Sequence, residues 1–264
     1  TIYRNKLLHQ HIKDIRKILP NIKIIISDDS DSNYQEKTKQ ILKPFKNIEY
    51  LPLPYDSGLS KGRNEAVKRV KTKFTILTDD SKVITDVKKV FLLVKFLQKN
   101  EKYSLICANI KERGEFAGQY TLSFKTIFLD NSDKNLINDK KTVKQIISHK
   151  KNINVNLEYI SLDKLKSINK ELSLYKTDIG MNSFIARTNI LQKLPWNNKL
   201  KIHEHHDFFF NLYLNNINVL FCNDFYFKQY SDNLRQYDKH GDKLRTNRKF
   251  ENNIKFYLDN NRWY

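Results

Sequence analysis

The sequence predicts an α/β fold with a mostly parallel central sheet, and three observations point there. Short β-branched runs alternate with helix-like stretches through the first 108 residues. Pairs of carboxylates fall directly after two of those runs, where open α/β sheets place their ligands. The 264 residues are 39% hydrophobic, enough for a sizeable core, and no linker or repeat divides them. The expectation is one domain over 1–264, with a regular α/β half (1–108) and a more irregular, mixed half (109–264).

Residues 7–18 carry apolar side chains at helical spacing until Pro20 stops them. Residues 22–27 read as a strand, 34–42 as a helix halted near Pro44, and 48–51 as a second strand. A helix over 60–70, a strand over 74–77, a helix over 87–97 and a strand over 103–108 complete the alternation. Strand-like runs then follow at 120–128, 143–147, 155–160 and 172–175, separated by Lys/Asn/Asp-rich turns. A strand at 182–186, a short helix, Pro195-Trp196, a helix over 204–216 and a strand at 219–222 come next. Phe208, Phe209 and Phe210 read as core. The basic, aromatic tail 231–264 carries helical character.

Lys plus Arg is 48 against 29 Asp plus Glu, a net +19. Such a charge suits an anionic partner, but the lysines are spread along the chain, which reads mostly as solvated surface. No helix-turn-helix, zinc-finger or RNA-binding signature supports nucleic acid. Two cysteines, Cys107 and Cys222, make no disulfide framework and read as core. No apolar run is long enough to cross a bilayer. The expectation is a soluble domain, cytoplasmic or lumenal, cut from or lacking an anchor, with the Lys/Asn/Ile-rich composition of a microbial or viral product.

Three clusters carry chemistry. Asp28/Asp29 and Asp79/Asp80 follow strands, and rigidly held carboxylates suit a divalent cation and a diphosphate; each also fits a turn or helix cap. Gly58-Leu59-Ser60-Lys61-Gly62-Arg63-Asn64 enters a helix whose N-terminus can meet phosphate, although it is neither a P-loop nor a dinucleotide fingerprint. His203-Glu204-His205-His206-Asp207 lacks the His-Glu-x-x-His zinc spacing and reads as a helix start presenting a carboxylate that can act as a general base.

Taken in order, these clusters resemble the β-1,4-N-acetylgalactosaminyltransferase-like group of GT-A fold nucleotide-sugar glycosyltransferases. The resemblance rests on Arg4, Ile24 to Ser30, Tyr55 to Asn64, Asp79-Asp80-Ser81 with Thr85, Asp178 to Arg187, Trp196, and Leu200 to Phe209. It implies inverting transfer of a hexose or N-acetylhexosamine from a UDP-sugar to the hydroxyl of a glycan, glycolipid or protein. It places Arg4, Asp28, Asp29, Arg63, Asp79 and Asp80 at the donor, and Asn182, Trp196, His205 and His206 in the sugar or acceptor pocket. It makes Asp207 the favoured base, with Glu204 the competitor. A Mn²⁺ or Mg²⁺ site is implied at Asp79, Asp80 and Ser81, with His240 a late ligand. Two departures stand out. Ser81 replaces the last acid of the family's triplet, and Lys228 stands where relatives carry a histidine, in line to neutralise diphosphate. The expected metal dependence is therefore weak or altered. The competing readings are an inactive binding module of the same fold and a nucleic-acid-binding protein.

Overall fold

A computed structural model describes residues 1–112, 115–116, 120–129, 133–136, 140, 153–201, 204–231, 233 and 262–263. The strand expected at 143–147, His203, His240 and nearly all of the tail lie outside these residues.

The chain opens with helix α1 (Asn5–Ile18), whose buried stripe of Leu7, Leu8, His11, Ile12 and Ile15 has helical period. Strand β1 (Ile24–Asp28), helix α2 (Ser32–Leu42) and strand β2 (Ile48–Pro52) follow. Asp31 caps α2 by accepting the Tyr34 N–H at 2.9 Å. β1 and β2 pair in parallel from Ile24↔Ile48 to Asp28↔Pro52. Leu8, Ile12, Ile26 and Leu42 form a small core between this pair and its helices.

Helix α3 (Leu59–Arg69), strand β3 (Phe74–Leu77), the short strand β4 (Lys82–Ile84), helix α4 (Val87–Lys99) and strand β5 (Tyr103–Glu112) continue the alternation. Strands β6 (Glu115–Phe116), β7 (Tyr120–Leu129), β8 (Asp133–Leu136) and β9 (Ile153–Ser161) come next, then β10 (Leu174–Thr177) and β11 (Phe184–Arg187). Helices α5 (Thr188–Lys193) and α6 (Glu204–Leu214), strand β12 (Asn218–Gln229) and strand β13 (Arg262–Trp263) complete the described elements.

The main sheet runs β10-β12-β5-β11-β3, with β4 paired to β12 and β6 to β5. β12 is parallel to β5, and β11 lies antiparallel between β5 and β3. The strands β3, β5 and β12 therefore share one direction, with β11 inserted against it. Alternate residues feed opposite faces, as pleating requires. Leu105, Cys107, Phe184, Ala186, Val219 and Phe221 enter one core with α6 and Trp196. Ile106, Ala108, Ile185, Leu220 and Cys222 enter the other, under α4. Both cysteines are buried and free, and Phe208, Phe209 and Phe210 are core.

A second sheet, β13-β9-β7-β8, supplies the mixed portion expected after residue 109. β12 is much longer than the 219–222 run suggests. An irregularity between Cys222 and Tyr226 absorbs the polar Asn223-Asp224 and lets pairing resume to Lys228. That extension gives β4 its partner, with Lys228↔Val83 and Gln229↔Lys82. No helix among the described residues is long and apolar enough to cross a membrane.

Candidate active site

Asp28 ends β1 and its carboxylate is pinned on both oxygens. Oδ1 accepts the Ser30 N–H at 2.9 Å, and Oδ2 accepts the Tyr50 hydroxyl at 2.8 Å. Gln35 ties the backbone carbonyl of Asp28 to that of Leu53 with its amide. Asp29 Oδ2 accepts the Gly58 N–H at 2.7 Å, so the strand end and the glycine loop are joined directly. Gly58 has φ +88° and ψ 164°, a region that glycine alone enters cheaply.

From Gly58 the chain turns into α3, whose buried inner face presents Arg63 and Asn64. Asn64 and Trp196 exchange hydrogen bonds. Asn64 Nδ2 donates to the Trp196 carbonyl at 2.7 Å, and the Trp196 N–H donates to Asn64 Oδ1 at 2.9 Å. Arg63 forks between two acids. Nη1 donates to Glu204 Oε1, and Nη2 to Asp79 Oδ1 at 2.8 Å. Asn182 Nδ2 donates to the same Glu204 oxygen at 2.9 Å. Lys82 Nζ donates to Asp79 Oδ2 at 2.9 Å, and Arg4 Nη1 to Asp80 Oδ1 at 3.0 Å.

The electrostatics follow from these contacts. Burial pushes the Asp79 carboxyl up, but Lys82 and Arg63 outweigh it and hold the group well below the usual carboxylate range. Asp80 is lowered in the same way, with Arg4 against the burial cost. Arg63 is pushed up, because Glu204 and Asp79 outweigh its desolvation. The result is a set of fixed charges, three cationic and three anionic, at the edge where β3, β4, α3 and α6 converge.

The structure thus gathers Arg4, Arg63, Asp79, Asp80, Asn182 and Glu204. Asp29 is tied to the glycine loop by the Gly58 contact, and Asp28 precedes it at the end of β1. Asp207 is buried in the first turn of α6 beside Glu204. His205 and His206 pack ring to ring at 3.9 Å, half-buried, on the same turn. Trp196 is 2% exposed and stacks on Phe208 at 4.2 Å, so it sits in the core and meets the cluster through Arg63, 5.8 Å from its ring. Lys228 is exposed and sits opposite Val83, while Gln229 sits opposite Lys82. Neighbouring strand positions face opposite ways, so Lys228 and Lys82 lie on opposite faces of that ladder. The lysine brought to the acidic motif is Lys82, a residue sequence reasoning missed. Its signal was adjacency to Asp79-Asp80-Ser81, lost among the many lysines.

The implied divalent site can be tested against these donors. Among the described residues no group of three His, Cys, Asp or Glu side chains could hold a metal ion. Both Asp79 oxygens accept from cations, and Asp80 Oδ1 is paired with Arg4. The third motif position offers only the Ser81 hydroxyl. The donor set does not fit a divalent cation. His240 lies outside the described residues.

The family model for glycosyl transferase family 2 matches residues 2–155, more than half of the chain. The chain belongs to glycosyl transferase family 2. Among curated proteins, it is 33% identical over 101 residues to the β-1,4 N-acetylgalactosaminyltransferase 2 of Mus musculus, covering 38% of this chain and 18% of that one. It is 31% identical over 120 residues to the β-1,4 N-acetylgalactosaminyltransferase 1 of Homo sapiens, covering 46% of this chain and 21% of that one. The matches thus span about a fifth of the length of these relatives. Among solved structures, S. aureus TarS 1–349 aligns with a TM-score of 0.55 at 14% identity, covering 98% of this chain and 72% of the other. GalNAc-T7, solved with UDP, GalNAc and Mn²⁺, aligns with a TM-score of 0.57 at 13% identity, covering 84% and 41%. At such identities these two show the fold, which is that of the GT-A glycosyltransferases.

Proposed function

We propose that this family 2 chain carries an inverting glycosyltransferase domain that moves a hexose or N-acetylhexosamine from a UDP-sugar to an acceptor hydroxyl. The observation that carries the reading is the fork of Arg63 to Glu204 and Asp79. It joins the glycine loop, the acidic motif and the α6 segment, three clusters far apart in sequence, at one place. Among the described residues, Asn182 Oδ1, Ser183 Oγ and Ser60 Oγ on the segments that meet there are buried without a hydrogen-bond partner.

In this reading residues 1–108 bind the donor, with Asp28 and Asp29 toward the uridine and Asp79, Asp80 and Arg4 toward ribose and diphosphate. Residues 109–264 bind the acceptor, with Asn182, His205 and His206 lining its pocket. Glu204, whose Oε1 accepts from both Arg63 and Asn182, fixes the position of Arg63. Asp207, one turn further along α6, is the base. It takes the proton of the acceptor hydroxyl as that oxygen attacks the anomeric carbon. The bond from that carbon to the diphosphate breaks, and UDP leaves with the bonding electrons. The β-1,4 N-acetylgalactosaminyltransferase relatives favour UDP-N-acetylgalactosamine as donor. A panel of nucleotide sugars scored for release of free UDP tests this reading. Hydrolysis of a UDP-sugar above background supports it, and no turnover or binding of any of them overturns it.

A further inference from the structure

The acidic motif is neutralised from within the chain. Asp79 accepts from Arg63 on one oxygen and from Lys82 on the other, at 2.8 and 2.9 Å. The Lys82 and Arg63 side chains are only 9% and 10% exposed. A divalent ion that takes over an Asp79 oxygen competes with one of these cations; Arg63 would keep Glu204, but a displaced Lys82 would be left buried without its anion, which is strongly unfavourable. Nor can Lys82 easily withdraw. All three residues of β4 are buried, and the strand is held by β12 through Gln229↔Lys82, Lys228↔Val83 and Phe227↔Ile84. Ser81 offers a hydroxyl where a carboxylate would ligate more strongly. Its backbone carbonyl is engaged as well, by the Tyr230 N–H at 3.0 Å. An ammonium has three donors. Among the described residues, the hydrogen bond of Lys82 Nζ is the one to Asp79, which leaves two N–H groups for oxygens of a ligand.

Resting on the UDP-sugar reading above, we propose that Lys82, with Arg63, replaces a divalent cation at Asp79. The ammonium holds the carboxylate on one side and meets the donor's diphosphate on the other. Nucleotide binding then needs no divalent ion.

The test is calorimetric titration of UDP into the full chain, once in EDTA and once in MnCl₂. The expected result is dissociation constants within about threefold of each other, since no protein ligand to the metal contributes. In EDTA, Lys82→Met, which keeps the apolar stem, should weaken UDP binding about tenfold or more, and Lys82→Arg should recover part of it. The double change Ser81→Asp with Lys82→Met should bind UDP tightly only when Mn²⁺ is present. Wild-type binding that vanishes in EDTA and returns with Mn²⁺ overturns the proposal without any variant. So does a folded Lys82→Met chain that binds UDP in EDTA as tightly as wild type. Failure to bind UDP under both conditions is a different result, because it overturns the donor reading itself.

Discussion

The guanidinium of Arg63 meets the carboxylate of Glu204 across 141 positions of sequence, with side chains only 10% and 3% exposed. The pair is buried deeply enough that neither partner can be removed cheaply. Arg63→Met should cost about 3–5 kcal/mol of stability in urea unfolding, because Glu204 then sits as an uncompensated buried charge. Arg63→Lys keeps the charge but loses the fork to Asp79, and should recover part of the loss. Combining Arg63→Met with Glu204→Gln should cost less than the sum of the single changes, by about 0.5–3 kcal/mol. Strict additivity in that cycle would show the two side chains to be energetically independent.

His11 gives the fold a pH dependence of defined sign. It is 6% exposed on the inner face of α1, packs its ring 6.2 Å from that of Tyr230, and has no partner for Nδ1 among the described residues. Burial pushes it down to about 4, against the pull of Asp80, Asp14 and Asp79. From the unfolded value of 6.5 down to about 4, the unfolded chain binds a proton that the folded chain refuses. Stability therefore falls as pH is lowered through that window, by up to about 3 kcal/mol from this group. His11→Phe should flatten the slope of unfolding free energy between pH 6.5 and 4. Asp79 and Asp80 act in a lower window. Their folded values are depressed, so their contribution is complete above the ordinary carboxylate range and fades only below about pH 4. An unchanged slope for His11→Phe would mean that His11 titrates normally in the folded chain.

Gly58 is a position where a methyl group has nowhere to go. A Cβ there would lie 2.7 Å from Lys201 Cγ and 2.9 Å from Lys201 Cα, and the second contact is backbone. The φ of +88° adds strain for any other residue. Gly58→Ala should destabilise the chain by about 2–5 kcal/mol. It should also weaken UDP binding, since the Gly58 N–H holds Asp29. A urea midpoint close to wild type would show that the loop and Lys201 separate more readily than their contacts imply.

These residues also show what sequence reasoning can and cannot reach. Asp28, Asp29, Asp79, Asp80 and the stretch from Gly58 to Asn64 stood out because each breaks a local pattern at the end of a strand or the start of a helix. Pairing is not local, so nothing in 184–187 announced that β11 would insert between β3 and β5. The extension of β12 past Asn223-Asp224 was hidden by its polar interruption, and with it the strand that carries Lys82. Supporting residues were invisible for a similar reason. Tyr50 and Gln35 read as ordinary strand and helix positions until the fold sets them against Asp28. Trp196 was legible as important, but the stack on Phe208 puts it beneath the cluster rather than at an open surface.

The two acids in the first turn of α6 should separate in kinetics. Glu204 is occupied by Arg63 and Asn182, so Glu204→Gln loosens the grip on Arg63 and, through it, on Asp79. Its main expected effect is weaker donor binding and lower stability, with turnover at saturating donor reduced less. Asp207→Asn keeps the shape of the turn but removes the proton acceptor. It should leave UDP affinity within about twofold of wild type and lower kcat by about 10²–10⁴. Calorimetry with UDP beside steady-state kinetics on the preferred donor separates the two patterns. If Glu204→Gln alone abolishes kcat with UDP affinity intact, while Asp207→Asn turns over normally, the roles are exchanged and Glu204 is the base.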